Sequence, residues 1–425
     1  MIANSEIITA IDVGTTKVCT IVGRKTSPKN VDVLAHNTVP CGGLRKGNVW
    51  DVALTEAGVR SSIAEAEDAI GQPIESAFVG VTGSHVDFEN RKDRLDSVGK
   101  VGVITADDLQ NLPQTLDSSF ASPGRKVIHA IRTSYSLDGE DGIRNPMGMH
   151  SQKVEAETHL VTGASSFIDK LVQAVENANL EVESLVLEPL ASGLAVLTAG
   201  EKERGAMLVD IGGGTSDLVG FKNGRICYSA VVPVGGYQFT NDIALTFNTP
   251  YEAAENAKLM YARAEVHPVE ANQDLSLPVI GRDVELKLKR LDICQLARER
   301  AQELARLIKL KVDEAELGDP SDVRLVLTGG ASNLPGLAPL MQRTIRIPVR
   351  LGSPNGADWV PDELRQPIFA TGVGILLWAA TEYAPEKTRV NSASNGATQA
   401  GSKGFMAELL GRLSRMIAIP PFAAK

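Results

Sequence analysis

Residues 210–217, Asp-Ile-Gly-Gly-Gly-Thr-Ser-Asp, join a predicted strand over 206–210 to a return strand over 218–221. Residues 12–17, Asp-Val-Gly-Thr-Thr-Lys, stand in the same setting near the start of the chain and lead into a predicted strand over 18–23. Two apolar, β-branched runs around such a turn are typical of a β-hairpin. The repetition predicts two related halves, each presenting an aspartate and a Gly/Thr turn at the end of a strand.

The composition of both turns suits a phosphate group. Glycine lets the backbone approach an anion closely, and successive N–H groups in a turn can converge on phosphate oxygens. Threonine hydroxyls add short hydrogen-bond donors, and Lys17 adds a positive charge. Asp12, Asp210 and Asp217 would repel a phosphate directly, so we interpret them as partners, through water, of a Mg²⁺ ion that bridges the phosphates.

A third glycine-containing turn follows the predicted strand 323–328, where Leu-Thr-Gly-Gly-Ala-Ser occupies 327–332. It is either an ordinary strand-to-helix turn or a flat backbone surface for a nucleotide base or ribose. Glu255 and Lys258 lie one helical turn apart and are candidates for contacts to the ribose hydroxyls and the base edge. A solvated pair of charges on a helix surface is the alternative for these two residues.

Composition limits the classes of function. The 425 residues, with 43% hydrophobic and 22% charged residues, predict a globular protein of at least two domains. The formal net charge of −9 argues against nucleic acid as the main partner, because phosphate-backbone binding needs a basic surface. The four cysteines lack a C-x-x-C pair and are expected to be reduced thiols. We expect no signal peptide at the N-terminus.

The order of the predicted elements suggests an inserted domain. Between residues 85 and 159 the sequence is rich in charge, glycine and proline, and its strand-like pieces, 127–131 and 158–162, are short. We interpret this part as a small α/β domain. Elsewhere the apolar spacing predicts helices over 51–70, 166–178, 242–265 and 291–317.

The end of the chain has a different character. Residues 385–403 are small and polar and predict a linker, whereas 404–419, Gly-Phe-Met-Ala-Glu-Leu-Leu-Gly-Arg-Leu-Ser-Arg-Met-Ile-Ala-Ile, has the spacing of an amphipathic helix. This helix either docks on its own protein body or binds a membrane. Because a helix that packs locally needs no long polar tether, and because Arg412 and Arg415 suit anionic lipids, we favour the membrane.

These motifs, in this order, resemble the actin, Hsp70 and sugar-kinase ATPase superfamily: two phosphate hairpins, a Glu-Pro segment between them and a Gly-Gly adenosine turn. Within that superfamily the chain is similar to the FtsA family of bacterial cell-division proteins. The stretches that carry the closer match, besides the tail, are 43–47, 81–85, 145–149, 209–217 and 327–336.

The resemblance implies an α/β, actin-like two-lobed ATPase fold with an inserted 1C subdomain and a C-terminal amphipathic helix. The implied divisions are 1–84, 163–202 and 353–384 for subdomain 1A, 85–162 for 1C, 203–239 and 318–352 for 2A, 240–317 for 2B, 385–403 for the flexible linker and 404–419 for the membrane-targeting helix.

The resemblance also implies ATP and Mg²⁺ as cofactors and assigns roles to individual positions. The phosphates would be held by Gly14, Thr15, Thr16, Lys17, Gly212, Gly213, Gly214 and Thr215. Adenosine would be held by Glu255, Lys258, Gly329, Gly330 and Ala331, and Mg²⁺ through water by Asp12, Asp210 and Asp217. Glu188 stands in the Glu-Pro motif that orients the attacking water in related ATPases, although packing at a strand end is the alternative. Hydrolysis is expected to be weak.

The implied function is an actin-like polymer at the cytoplasmic face of the bacterial membrane, at the division site. It would anchor FtsZ filaments through the FtsZ C-terminal tail and recruit later division proteins through subdomain 1C. The rivals are a pilus-assembly ATPase, a small-molecule kinase and an Hsp70-like chaperone. The kinase gives the tail no role, and the chaperone needs a β-rich substrate domain after the ATPase.

Overall fold

The computed structural model describes residues 7–27, 30–95, 102–111, 121–265, 268–355 and 358–382. The predicted linker and the predicted terminal helix, 385–403 and 404–419, lie outside the described residues. Within the described chain, no helix is both long and apolar enough to cross a membrane.

Two five-stranded sheets have the same topology, which confirms the prediction of two related halves. In the first, β1 to β3 form antiparallel pairs, and β6 and β11 continue the sheet in parallel to β1, in the order β11-β6-β1-β2-β3. In the second, the order β14-β13-β12-β17-β18 repeats this pattern. The strands are Ile7–Val13 (β1), Lys17–Ser27 (β2), Asn30–Pro40 (β3), Ser76–Val81 (β6), Glu181–Leu187 (β11), Ala206–Ile211 (β12), Ser216–Lys222 (β13), Arg225–Val232 (β14), Arg324–Thr328 (β17) and Val349–Leu351 (β18).

Helices cover these sheets, and two of them lie between the sheets. Helices α4 and α11 cross closely enough that a Cβ on Gly374 would collide with the Ala191 carbonyl group. The largest buried apolar cluster includes residues of both sheets together with these two helices, so the lobes share a core. The helices are Val52–Ile70 (α1), Ser165–Asn177 (α3), Glu188–Val196 (α4), Ala199–Arg204 (α5), Gly236–Phe247 (α6), Tyr251–Tyr261 (α7), Pro268–Ala271 (α8), Arg290–Glu314 (α9), Leu337–Ile345 (α10) and Ala370–Glu382 (α11).

The inserted region forms a separate antiparallel sheet in the order β7-β10-β8-β9, with its own small apolar cluster. Its two central strands span 13 and 11 residues, so the sequence prediction of short strands here was wrong. The elements are Val86–Leu95 (β7), Ala106–Asn111 (α2), Arg125–Leu137 (β8), Glu140–Ile143 (β9) and Val154–Ala164 (β10). There are also two short hairpins, Leu44–Arg45 (β4) with Asn48–Val49 (β5) and Asp274–Pro278 (β15) with Glu285–Lys289 (β16), and three short 3-10 helices, Gly330–Asn333, Asp362–Leu364 and Pro367–Phe369.

The predicted single helix over 242–265 is wrong. The structure has two helices, α6 and α7, because Asn248 adopts a left-handed conformation with φ 46° and Pro250 follows two residues later. A left-handed residue ends the first helix, and the fixed φ of proline suits the start of the next. The break brings α7 back against α6, and Glu255 and Lys258 of α7 thereby reach the first turn of α6.

Candidate functional site between the lobes

The two Gly/Thr turns are closed by equivalent backbone hydrogen bonds. The Gly14 N–H donates to the Lys17 carbonyl at 2.9 Å, and the Gly212 N–H donates to the Thr215 carbonyl at the same distance. Each turn closes an antiparallel pair, Asp12 opposite Cys19 in the first and Asp210 opposite Asp217 in the second. The similarity recognised in the sequence is therefore a similarity of structure.

The two turns lie against each other. A Cβ placed on Gly213 would stand 2.8 Å from Thr16 Cγ2, and one placed on Gly214 would collide with Thr15 Oγ1. Only glycine allows the second turn to approach the threonines of the first this closely. The predicted phosphate-binding residues of the two halves thus share one place between the lobes.

Hydroxyl groups of the first lobe hold both aspartates of the second lobe. Asp210 accepts hydrogen bonds from Ser192 at 2.5 Å and Thr371 at 3.0 Å. Asp217 accepts from Thr82 at 2.5 Å. These three donors were missed by the sequence analysis, because a single Ser or Thr carries no pattern that reveals a partner far away in the chain.

Asp12 and Glu188 complete a cluster of four buried carboxyl groups. Burial raises the pKa of Asp12 to about 6, with Lys17 opposing and Asp210 adding to the rise. Burial raises the pKa of Asp217 to about 7, although the hydrogen bond from Thr82 opposes it. Burial and then the charges of the three aspartates raise the pKa of Glu188 well above its ordinary value. If all four groups were ionised, their negative charge would exceed the single positive charge of Lys17, which acts on Asp12 and Asp210.

A divalent cation fits this excess of negative charge, because acidic oxygens are the partners that Mg²⁺ takes in nucleotide sites. Among the described residues, however, no group of three or more His, Cys, Asp or Glu side chains converges as direct metal ligands. That these carboxylates hold a hydrated Mg²⁺ through water stays a prediction.

Lys17 and the Gly-Gly turn meet on the side of the cleft formed by residues 367–369. The Lys17 ammonium group donates to the Ile368 carbonyl at 3.0 Å, and a Cβ on Gly330 would lie 3.6 Å from Ile368 Cγ1. Gly329 has φ 82°, and a Cβ there would collide with the Asp210 carboxylate. The close approach of Gly329 to Asp210 is what joins this third turn to the carboxylate cluster.

The predicted adenosine residues form a second group beside the N-terminus of α6. Lys258 donates to Glu255 at 2.8 Å and to Thr240 at 2.9 Å, and Thr240 also donates to Glu255. A Cβ on Gly236 would lie 3.5 Å from Ala331 Cβ and 3.7 Å from Lys258 Nζ. Glu255, Lys258 and Ala331 therefore surround the start of α6.

Gly235 and Gly236 are site residues that the sequence analysis missed. The Gly236 N–H donates to the Gly212 carbonyl at 2.9 Å, and a Cβ on Gly235 would stand 2.7 Å from the same oxygen. The start of α6 thus rests on the turn of residues 212–215 and joins it to the group formed by Glu255, Lys258 and Ala331. The signal was present as Val-Pro-Val-Gly-Gly before a helical pattern at 232–236, a proline and two glycines at a helix start.

Comparison with known families identifies the chain. A model described as "Cell division protein FtsA" matches residues 207–374, and one described as "SHS2 domain inserted in FTSA" matches residues 83–162. The cell division protein FtsA of Pseudomonas aeruginosa is 34% identical over 381 residues, which cover 89% of this chain and 90% of that protein. This chain belongs to the FtsA family. FtsA of Neisseria meningitidis is 30% identical over 96% of this chain and 97% of that protein.

Solved structures show that this FtsA-family chain has the actin-like ATPase fold. The PilM–PilN type IV pilus biogenesis complex matches with a TM-score of 0.61 and 17% identity, over 88% of this chain and 98% of the other. MreB5 of Spiroplasma citri bound to ADP matches with a TM-score of 0.52 and 13% identity, over 88% and 97%. At such identities the likeness concerns the fold alone, and membership of the FtsA family rather than a pilus family rests on the sequence relatives.

Proposed function

We propose that this FtsA-family protein binds Mg²⁺-ATP between its lobes and forms an actin-like polymer that anchors FtsZ filaments to the cytoplasmic face of the membrane at the division site. The proposal of a nucleotide site rests on one observation: the two glycine turns are in close contact beside four buried carboxyl groups. The relative MreB5, which has the same fold, is described as bound to ADP, and this supports a nucleotide at the corresponding place here.

In this proposal the backbone N–H groups of both turns, with Thr15, Thr16, Thr215 and Lys17, bind the phosphates. Asp12, Asp210 and Asp217 would hold a hydrated Mg²⁺ through water. Glu255, Lys258 and the turn of residues 329–331 bind adenosine. The cation, when bound, supplies positive charge that the acidic cluster lacks and that the phosphates require.

For the hydrolysis of ATP, we assign Glu188 the role of hydrogen-bond acceptor for the attacking water. Phosphoryl transfer depends mainly on positioning and charge stabilisation, so one fixed acceptor beside the metal is sufficient for slow turnover. Only the ionised carboxyl accepts the proton. The raised pKa of Glu188 therefore supports weak activity. We accordingly treat ATP first as a ligand that controls conformation and polymerisation.

Two charge-introducing variants test the nucleotide site. Gly213→Asp and Gly330→Asp each place a carboxylate where phosphate or nucleotide is proposed to bind, and we expect ATP affinity to fall by about a hundredfold or more, because like charges in contact cost several kcal/mol. Equilibrium binding of a fluorescent ATP analogue measures this. Gly42→Asp is the control, since a Cβ on the exposed Gly42 meets nothing within 4 Å. Unchanged affinity in both cleft variants would refute the assignment.

The anchoring part of the proposal rests on residues outside the described structure. Residues 404–419 are proposed as an amphipathic helix that binds anionic lipids, with 385–403 as its tether. A single helix of this kind binds reversibly, and many copies on one polymer bind together much more strongly. Subdomain 2B, residues 240–317, is proposed to bind the FtsZ C-terminal tail, and subdomain 1C, residues 85–162, to contact later division proteins.

Liposome flotation tests the anchor. We expect the full chain to float with liposomes that contain anionic lipid and the chain lacking residues 404–425 to remain in the dense fraction. The truncated protein should still bind ATP, because its cleft is intact, and this serves as the folding control. Recruitment of FtsZ polymers to the same liposomes with ATP should follow flotation. Equal flotation of both forms would exclude the anchor.

A further inference from the structure

His129 of the inserted domain makes an unusual contact with the first lobe. Its Nε2 accepts a hydrogen bond from the Leu187 backbone N–H at 2.9 Å, and the imidazole is fully buried. Leu187 is the last residue of β11, the edge strand of the first sheet, and the next residue is Glu188. A side chain of the inserted sheet therefore satisfies the backbone at the corner where strand β11 becomes helix α4.

The protonation state of His129 makes it a suitable acceptor. Burial lowers its pKa to about 3, so the ring is neutral at physiological pH. Because Nε2 accepts, the proton must reside on Nδ1, which has no hydrogen-bond partner among the described residues. The ring packs on the Trp378 indole with 4.9 Å between centroids, and Trp378 belongs to α11. Ring packing and one backbone hydrogen bond thus fix the orientation of His129.

The corner that His129 holds determines where the Glu188 carboxyl group lies. Glu188 is the first residue of α4, and Pro189 follows it and has no N–H to donate. Gly80 packs against the Glu188 side chain, because a Cβ on Gly80 would lie 3.1 Å from Glu188 Cγ. With Gly80 on one side and helix α11 close by, a shift of the Leu187 backbone would move the Glu188 carboxyl group relative to the three aspartates.

We propose that His129 is a positioning residue for Glu188, through which the inserted domain sets the rate of nucleotide hydrolysis without touching the nucleotide. This inference rests on the proposed role of Glu188. The inserted domain also contacts the second lobe, since His159 bonds with Ser229 at 3.0 Å and Asn90 donates to the Cys227 carbonyl at 2.9 Å. Because His129 lies on the inserted sheet, a partner that displaces this sheet would also alter the Glu188 corner.

Two substitutions separate the functions of the imidazole. His129→Phe keeps a ring against Trp378 but leaves the Leu187 N–H without an acceptor. His129→Gln keeps an acceptor oxygen but loses the ring. We expect His129→Phe in the full chain to lower the single-turnover rate of ATP hydrolysis by about ten- to a hundredfold, because small misplacements of a catalytic group have effects of this size. His129→Gln should retain more of the rate, and the ATP dissociation constant should stay within about twofold in both.

The matched control is His159→Phe, which alters another fully buried histidine of the same sheet that does not contact the Leu187 corner. It removes the bond to Ser229 but leaves the Leu187 hydrogen bond in place, so the hydrolysis rate should stay within about twofold of the wild type. A double variant provides the decisive test: in a Glu188→Gln background, His129→Phe should cause no further loss, because its effect passes through Glu188. An equal loss in both backgrounds, or a full rate for His129→Phe alone, would overturn the proposal.

Amide hydrogen exchange tests the corner without relying on hydrolysis. The Leu187 and Glu188 amides should exchange faster in His129→Phe than in the wild type and in His159→Phe. Unchanged exchange would overturn the positioning role even if turnover were lost. If the wild type does not hydrolyse ATP, or Glu188→Gln has the full rate, the proposed role of Glu188 fails, and the exchange result alone decides whether His129 fixes the corner.

Discussion

At the scale of single residues, the site contains glycines that a larger residue could not replace and glycines that it could. Gly329 and Gly330 are adjacent but differ in this respect. Gly329 has φ 82° and ψ 162°, and its Cα faces the Asp210 carboxylate. Gly330 has room for a Cβ beside Ile368. The sequence presents the two as an equivalent pair, and the backbone makes only the first one obligatory.

Alanine substitutions should reveal the difference between them. Gly329→Ala forces a side chain into a backbone region reserved for glycine and onto a carboxylate, so we expect the free energy of unfolding to fall by about 1–3 kcal/mol. Gly330→Ala should change it by less than about 0.5 kcal/mol. Urea denaturation followed by circular dichroism measures both. Similar losses for the two variants would contradict the assignment of strain to Gly329.

At the scale of elements, the short helix α5 shows how capping joins one part of the fold to another. The Thr198 and Glu201 side chains satisfy each other's backbone N–H groups at the start of the helix. Arg350 of β18 then donates to both carboxylate oxygens of Glu201, at 2.6 and 2.8 Å. Burial favours a higher pKa for Glu201, but the hydrogen bonds from Arg350 and Thr198 outweigh it and lower the pKa to about 2.

This lowered pKa predicts a pH-dependent contribution to stability. Because the folded state holds Glu201 ionised more strongly than the unfolded state does, the contribution is complete above pH 4.5 and is lost as the pH falls towards 2. Glu201→Gln should lower the free energy of unfolding by about 1–2 kcal/mol at pH 7, and the difference from the wild type should shrink below pH 4.5.

Urea denaturation between pH 7 and pH 3 measures this dependence. Glu203→Gln is the matched control on the same helix, because Glu203 is exposed in its pair with Arg144 and such pairs contribute little. A difference between Glu201→Gln and the wild type that stayed constant down to pH 3 would exclude the ionised pair as its source.

At the scale of the whole molecule, two similar sheets bring four acidic groups into one buried place. Asp12 comes from the first sheet, Asp210 and Asp217 come from the second, and Glu188 begins the helix that packs between them. Four buried carboxyl groups in one place make the cleft between the lobes unfavourable for further negative charge. A ligand that brings a cation would offset this repulsion.

Mg²⁺-ATP should therefore stabilise the whole protein. A ligand at a hundred times its dissociation constant adds about 2.7 kcal/mol to the free energy of unfolding. Burial raises the pKa of Asp217 to about 7, so the folded state binds more protons than the unfolded state between pH 3.8 and 7. Without metal, this group makes the protein less stable as the pH rises through that window.

Scanning calorimetry with and without Mg²⁺-ATP measures both effects. The rise in melting temperature caused by Mg²⁺-ATP should be larger at pH 8 than at pH 6, and EDTA should remove most of it. Gly213→Asp should show no rise at either pH. An equal rise in the presence of EDTA would argue against a metal that the carboxylate cluster helps to hold.

Local sequence patterns were enough to predict the two Gly/Thr turns, the helix that begins after Asp51, the duplicated halves and the family. These features depend on glycine, threonine and apolar spacing within a few residues, which is local chemistry that a sequence displays. The break at Asn248 and Pro250 was also local, and its signal was overlooked in favour of the apolar periodicity on either side.

The hydroxyl groups that bond to the aspartates, and the residue that holds the Glu188 corner, could be found only from the packed fold. Thr82 meets Asp217 across 135 positions, Thr371 meets Asp210 across 161, and His129 meets Leu187 across 58. Serine, threonine and histidine are chemically competent almost anywhere in a chain. Their partners are selected by the packing of two sheets, two central helices and an inserted domain, because a hydrogen bond needs its two atoms within about 3 Å and no local pattern specifies that distance.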